Sequence, residues 1–134
     1  MEGLKIKSDE NIRGAEILNT IENRCFASSI HCSYYSCLQY MAYVIKVKKL
    51  ISGTLKEEQN LRKKGSHEII RNIFEIYYAK NIDHKNFLEY KEWIGQLEQN
   101  RIESDYWEQK IEQPLANKSL DLAKRILSQI KKIK

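Results

Sequence analysis

Apolar residues recur at three- and four-residue steps along most of the chain, and no stretch alternates with the two-residue period of a strand. Ile12, Ala15, Ile17, Leu18 and Ile21 form the first stripe, and Ser8 or Asp9 suits the N-cap before it. A second helix is expected from about Cys25 to Lys49, with Phe26, Ile30, Tyr34, Cys37, Met41, Val44 and Ile45 on one face. It ends in Lys46, Lys48 and Lys49, charges that suit the negative end of a helix dipole. Residues 52–65 are polar and charged, contain Gly53 and Gly65, and read as a loop. Ser66 then caps a third helix carrying Ile69, Ile70, Ile73, Phe74, Ile76 and Tyr77. Ala79 to Asp83 reads as a short connection to a fourth helix, from His84 to about Gln109. Pro114 fits the first turn of a fifth, which carries Leu115, Leu120, Ala123, Ile126, Leu127 and Ile130. The pattern predicts an all-α, five-helix up-and-down-like bundle.

Composition agrees with this pattern. The chain has 134 residues, one proline and five glycines, which fits a single helical domain over residues 1–134. Its core is expected around Ala27, Tyr34, Cys37 and Leu38, with Ile73 and Leu97. The three cysteines, Cys25, Cys32 and Cys37, sit seven and five residues apart in one helix. That spacing suits neither a zinc site nor a disulfide framework, so reduced thiols and a cytoplasmic setting are expected. The segment Met1–Asn11 is charged and lacks an apolar run, and the later apolar stretch is broken by His31, Gln39 and Lys46. Neither a signal peptide nor a membrane span is expected. The net charge of +5 permits an anionic partner without requiring one.

The segment from Phe26 to Leu38 is the densest in chemistry. It combines small residues with His31 and the pair Tyr34–Tyr35, and His31 shares their helix face. Further on, Arg101 stands one turn before Asp105. This spacing predicts a polar seam in which Tyr35, Arg101 and Asp105 form one hydrogen-bonded group between the second and fourth helices, with His31 at its edge. A buried aspartate needs such partners to stay ionised. Arg62, Lys63 and Lys64 form a basic cluster in the loop that suits phosphate contacts. The sequence contains no phosphate loop, zinc signature or nucleophile elbow, and neither metal nor cofactor is expected.

The order of these segments resembles the HEPN domain, a small helical bundle. The resemblance rests on Phe26-Ala27 followed by Tyr34-Tyr35-Ser36, then Gly65-Ser66-His67, then Arg101, Ser104, Asp105 and Tyr106, and a last amphipathic helix. It is nearest to the branch whose second helix carries Tyr-Tyr-Ala, with Ser36 in place of the alanine. The resemblance implies a homodimer in a prokaryotic toxin–antitoxin or defence setting. Some members are encoded beside a nucleotidyltransferase that acts as antitoxin. Many members are metal-independent ribonucleases, with an arginine followed roughly four to six residues later by a histidine. Others lack that pair and act as binding modules. Here Arg62 and His67 fit the spacing, and Arg24 and His31 come near it, but neither pair lies on a late helix. The histidine would take a proton from a ribose 2′-hydroxyl, and the arginine would stabilise the charge growing on phosphorus. The first reading is therefore a binding or accessory module that engages RNA, a nucleotide or a partner protein through His31, Tyr35, Arg101, Asp105, Lys63 and Lys64. The alternative is a toxin ribonuclease using Arg62 and His67, and a further one is a protein-interaction module without a nucleic-acid role.

Overall fold

The computed structural model describes residues 2–51, 66–106 and 110–133, which form helices and the turns between them, without strands. The helices are α1 (Gly3–Leu18), α2 (Phe26–Val47), α3 (Ser66–Asn81), α4 (His84–Tyr106) and α5 (Gln113–Ile130). This is the expected all-α bundle. Its axis is α2, which packs against all four other helices. The residues of α2 explain that position: Ile30, Tyr34, Cys37, Met41 and Ile45 are fully buried and advance in three- and four-residue steps. Burial of each large side chain contributes about 1.5–3 kcal/mol. Among the described residues, no helix is long and apolar enough to cross a membrane.

Helix α1 begins at Gly3, five residues before the expected cap. Ser8 does not cap it. Ser8 is buried in mid-helix, and its hydroxyl donates to the Ser36 carbonyl at 2.6 Å. Ser29 of α2 donates in return to the Ala15 carbonyl at 2.7 Å. Small hydroxyl residues thus let the two backbones approach while keeping every buried Oγ of these pairs satisfied. The expected apolar stripe of α1 is correspondingly reduced. Ile17 and Ile21 are exposed, and Ile21 lies beyond the helix.

Helix α2 stops at Val47 through a left-handed residue. Lys49 has φ 52°, and the Leu50 amide reaches back to the Ile45 carbonyl at 3.0 Å. This is the closure that glycine usually makes, here at the cost of a Cβ in the left-handed region.

Helix α3 continues to Asn81, through the stretch expected to connect. The reason is Tyr78, which is fully buried in an aromatic cluster with Phe74, Phe87 and Tyr90 and donates to Gln129 Oε1 at 2.8 Å. These rings extend the helix past its polar residues, because tertiary packing outweighs local propensity. Ile69 and Ile76 face outward. Of the expected core residues, Tyr34, Cys37, Leu38 and Leu97 are buried, whereas Ala27 and Ile73 are only partly covered. Burial pushes the Cys37 thiol up to about 12, the behaviour of an inert, reduced core cysteine.

Helix α5 starts with Pro114 in its first turn and returns along α2 and α4. Its start is tied to the end of α1: Gln113 donates to the Asn19 carbonyl at 2.9 Å, and Asn19 to Asn117. Against α4, the buried Asn100 donates to Ser119 Oγ at 3.1 Å.

Candidate functional site

The N-terminal half of α2, the first turns of α3 and the last turns of α4 meet along a polar seam. Each helix presents residues three or four apart, so each offers one face to the others. From α2 come His31, Tyr34 and Tyr35. From α3 come His67 and Arg71, and from α4 come Glu98, Arg101 and Asp105.

Asp105 accepts from Arg101 Nη1 at 3.3 Å on its own helix. His31 Nδ1 lies 3.6 Å from the same carboxylate oxygen, an ion-pair distance rather than a hydrogen bond. The His31 side chain is half-exposed at this edge of the seam. The Arg101 guanidinium lies over the Tyr34 ring, 4.7 Å from its centre. Tyr35 stands between the two histidines, with ring centres 4.3 Å from His31 and 5.0 Å from His67.

Beneath this surface Arg71 forms ion pairs with Glu98 and, at 3.7 Å, with Glu75. Tyr34 is fully buried, and its hydroxyl meets no hydrogen-bond partner among the described residues. Arg71 Nε and Arg101 Nε are likewise buried without partners among those residues. Burial raises the Tyr34 phenol above its ordinary range, and Glu98 adds to the rise. Arg71 and Arg101 pull the other way without completing hydrogen-bond geometry to the hydroxyl. His67 is held below its ordinary value by burial, then by the positive charge of Arg101 and by His31. At neutral pH this ring is a base without a proton to release.

The geometry differs from the hydrogen-bonded group expected from spacing: Asp105, expected to be buried, is an exposed residue near the end of α4, and the tyrosines take other roles. Arg101, Asp105 and His31 do come together, but Tyr35 donates to none of them among the described residues; its ring instead meets His31 at a tilt and His67 edge-on. The tyrosine under the arginine is Tyr34. His67 arrives from α3 and joins this group. Its expected partner Arg62, with Lys63 and Lys64, lies outside the described residues. Sequence reasoning missed Arg71 and Glu98. The signal was available: Arg71 is one turn after His67, and Glu98 one turn before Arg101.

Two imidazoles, an arginine and a carboxylate along one seam can hold an anion and move a proton. The described residues contain no cluster of histidine, cysteine and carboxylate that could hold a metal. No family model, curated protein or solved structure matches the chain.

Proposed function

We propose that this chain is a HEPN-like binding or accessory module of a prokaryotic toxin–antitoxin or defence system. Its polar seam takes a phosphate group of RNA or of a nucleotide. The observation that supports the reading is the convergence, from three helices, of His31 and His67 on the ring of Tyr35 and of Arg101 over the adjacent buried Tyr34. The guanidinium binds a phosphate through charge-assisted bonds, an imidazole N–H can add a hydrogen bond, and the Tyr35 ring offers an aromatic surface for a base. A homodimer and a nucleotidyltransferase partner belong to the same proposal, on the resemblance alone.

The test is fluorescence anisotropy with a labelled single-stranded RNA and with a labelled adenine nucleotide. Affinity should rise only as pH falls below 6.5, because His67 is held under that ordinary value and gains its charge late. It should drop roughly tenfold or more in Arg101→Gln and in the double variant His31→Gln/His67→Gln, the loss of one or two charge-assisted bonds. Equal affinity in these variants and the wild type would remove the seam as the binding site.

The unprotonated state of His67 beside Arg101 favours a second reading, metal-independent RNA cleavage. In it His67 accepts the 2′-hydroxyl proton and Arg101, rather than Arg62, steadies the phosphorane. Cleavage of RNA in EDTA that disappears in His67→Gln would support it, and intact RNA would eliminate it.

A further inference from the structure

A second polar concavity lies away from the seam, where α4 and α5 part. At one end of their contact the small pair Asn100 and Ser119 holds the helices together. Toward the start of α4 they separate around an open groove of about 760 Å³. Asn86, Glu89 and Trp93 follow one another at three- and four-residue steps on α4, and Lys124, Arg125 and Lys132 line the opposite side from α5 and its end. Trp93 is partly buried and packed against the core, so its ring is held in place while one part remains accessible. The three cations face a single lining carboxylate, Glu89. Lys124 pairs with Glu16 and Arg125 with Asp121, all four side chains about half-exposed, and such pairs exchange readily for a phosphate. Ser128 of α5 and Asn81 at the end of α3 add polar edges to the lining.

A fixed indole flanked by cations and amides matches single-stranded nucleic acid better than an acidic peptide. Every base has a face that can stack on the indole, and amide edges pair with base edges, whereas a carboxylate-rich chain uses only the cations. An open groove also admits a passing strand instead of enclosing a small ligand. We infer that the α4–α5 groove binds a single-stranded nucleic-acid segment, with Trp93 stacking on a base and Lys124, Arg125 and Lys132 contacting the flanking phosphates. It is a site separate from the seam, about 18 Å away along α4, and the inference stands whether or not the seam binds anything.

The sequence contains two tryptophans, so Trp107→Phe in the full chain leaves Trp93 as sole reporter. Titrating that variant with a short oligouridylate should quench its fluorescence saturably, and polyglutamate should not. Anisotropy of the labelled oligonucleotide gives the second readout. The exposed double substitution Lys124→Gln/Lys132→Gln should lower the slope of log affinity against log salt by about 1.4, or about 0.7 per phosphate contact. Trp93→Leu should weaken binding about 5- to 150-fold, the range for loss of one stacked base. His31→Gln/His67→Gln should leave the Trp93 quench in place, which separates this site from the seam. Absence of quenching, equal quenching by polyglutamate, or an unchanged salt slope in the lysine double variant would each overturn the assignment.

Discussion

Replacing Tyr34 with phenylalanine should make the protein more stable. Tyr34 is fully buried, and its hydroxyl has no hydrogen-bond partner among the described residues. A buried hydroxyl left unpaired costs about 1–3 kcal/mol relative to water. The nearby Arg71 guanidinium offsets part of that cost, so the lower end applies and the expected gain is about 1 kcal/mol. The ring, its core contacts and its face toward Arg101 are all retained in phenylalanine. For a chain of this length the unfolding entropy near the midpoint is about 0.28 kcal/mol/K, so the midpoint should rise by about 3–4 °C. In urea, with a slope of about 2 kcal/mol/M, the midpoint should rise by about 0.5 M. Far-UV circular dichroism during heating and during urea titration reads both. Tyr34→Ala is the control: it should lose about 3–5 kcal/mol, because the whole ring leaves a cavity. If Tyr34→Phe melts lower than the wild type, the hydroxyl is engaged in the folded protein and the reasoning fails. If the gain in stability comes with a loss of RNA or nucleotide affinity, the unpaired hydroxyl serves the ligand.

Three further outcomes follow from the same structure. His67 is held below its ordinary value of 6.5, so between the folded and unfolded values the unfolded chain carries more protons; stability should fall as pH drops through about 6.5 and level off below the folded value, and His67→Gln should flatten that part of a urea-midpoint profile. The exposed Cys25 should react with a thiol reagent first, while Cys37, pushed up to about 12 by burial, should react only on unfolding, as mass spectrometry of partly labelled protein would record. Ser8→Ala removes the bond to the Ser36 carbonyl and should cost about 0.5–1.5 kcal/mol in urea unfolding, whereas a role for Ser8 limited to helix capping would leave α2 untouched in hydrogen exchange.

The helical periods of α2, α4 and α5 were legible because their buried faces are regular. Tyr34, Cys37, Met41 and Ile45 repeat without interruption, and Pro114 marks a helix start that the structure keeps. What misled was polarity used for close approach. Ser8 looks like a cap to any local rule, and only the proximity of Ser36, 28 residues away, makes it a buried contact. The end of α3 was hidden for a similar reason, since Ala79–Asn81 are locally unremarkable and Tyr78 holds the turn through Gln129, 51 residues away. At the seam, spacing within one helix located Arg101 with Asp105 and His31 with Tyr35. It could not say which of two adjacent tyrosines lies under the arginine, because that depends on the rotation of α2 against α4. Nor could it bring in His67, whose place depends on how α3 leans on α2.

The sealing position of α5 sets an order of events during synthesis. Helices α1 and α2 are neighbours in sequence and can pair as soon as Val47 has left the ribosome. The other side of α2, with Leu38, Met41 and Ile45, then waits for the rest of the chain. Part of its cover comes from Ala123, Ile126 and Ile130, in the last described helix. Until those residues emerge, the nascent protein shows a greasy strip to the cell, the kind of surface that chaperones hold and that invites aggregation. A stop codon at the start of α5, around residue 113, would therefore leave a product that quality control removes, rather than a weakened bundle.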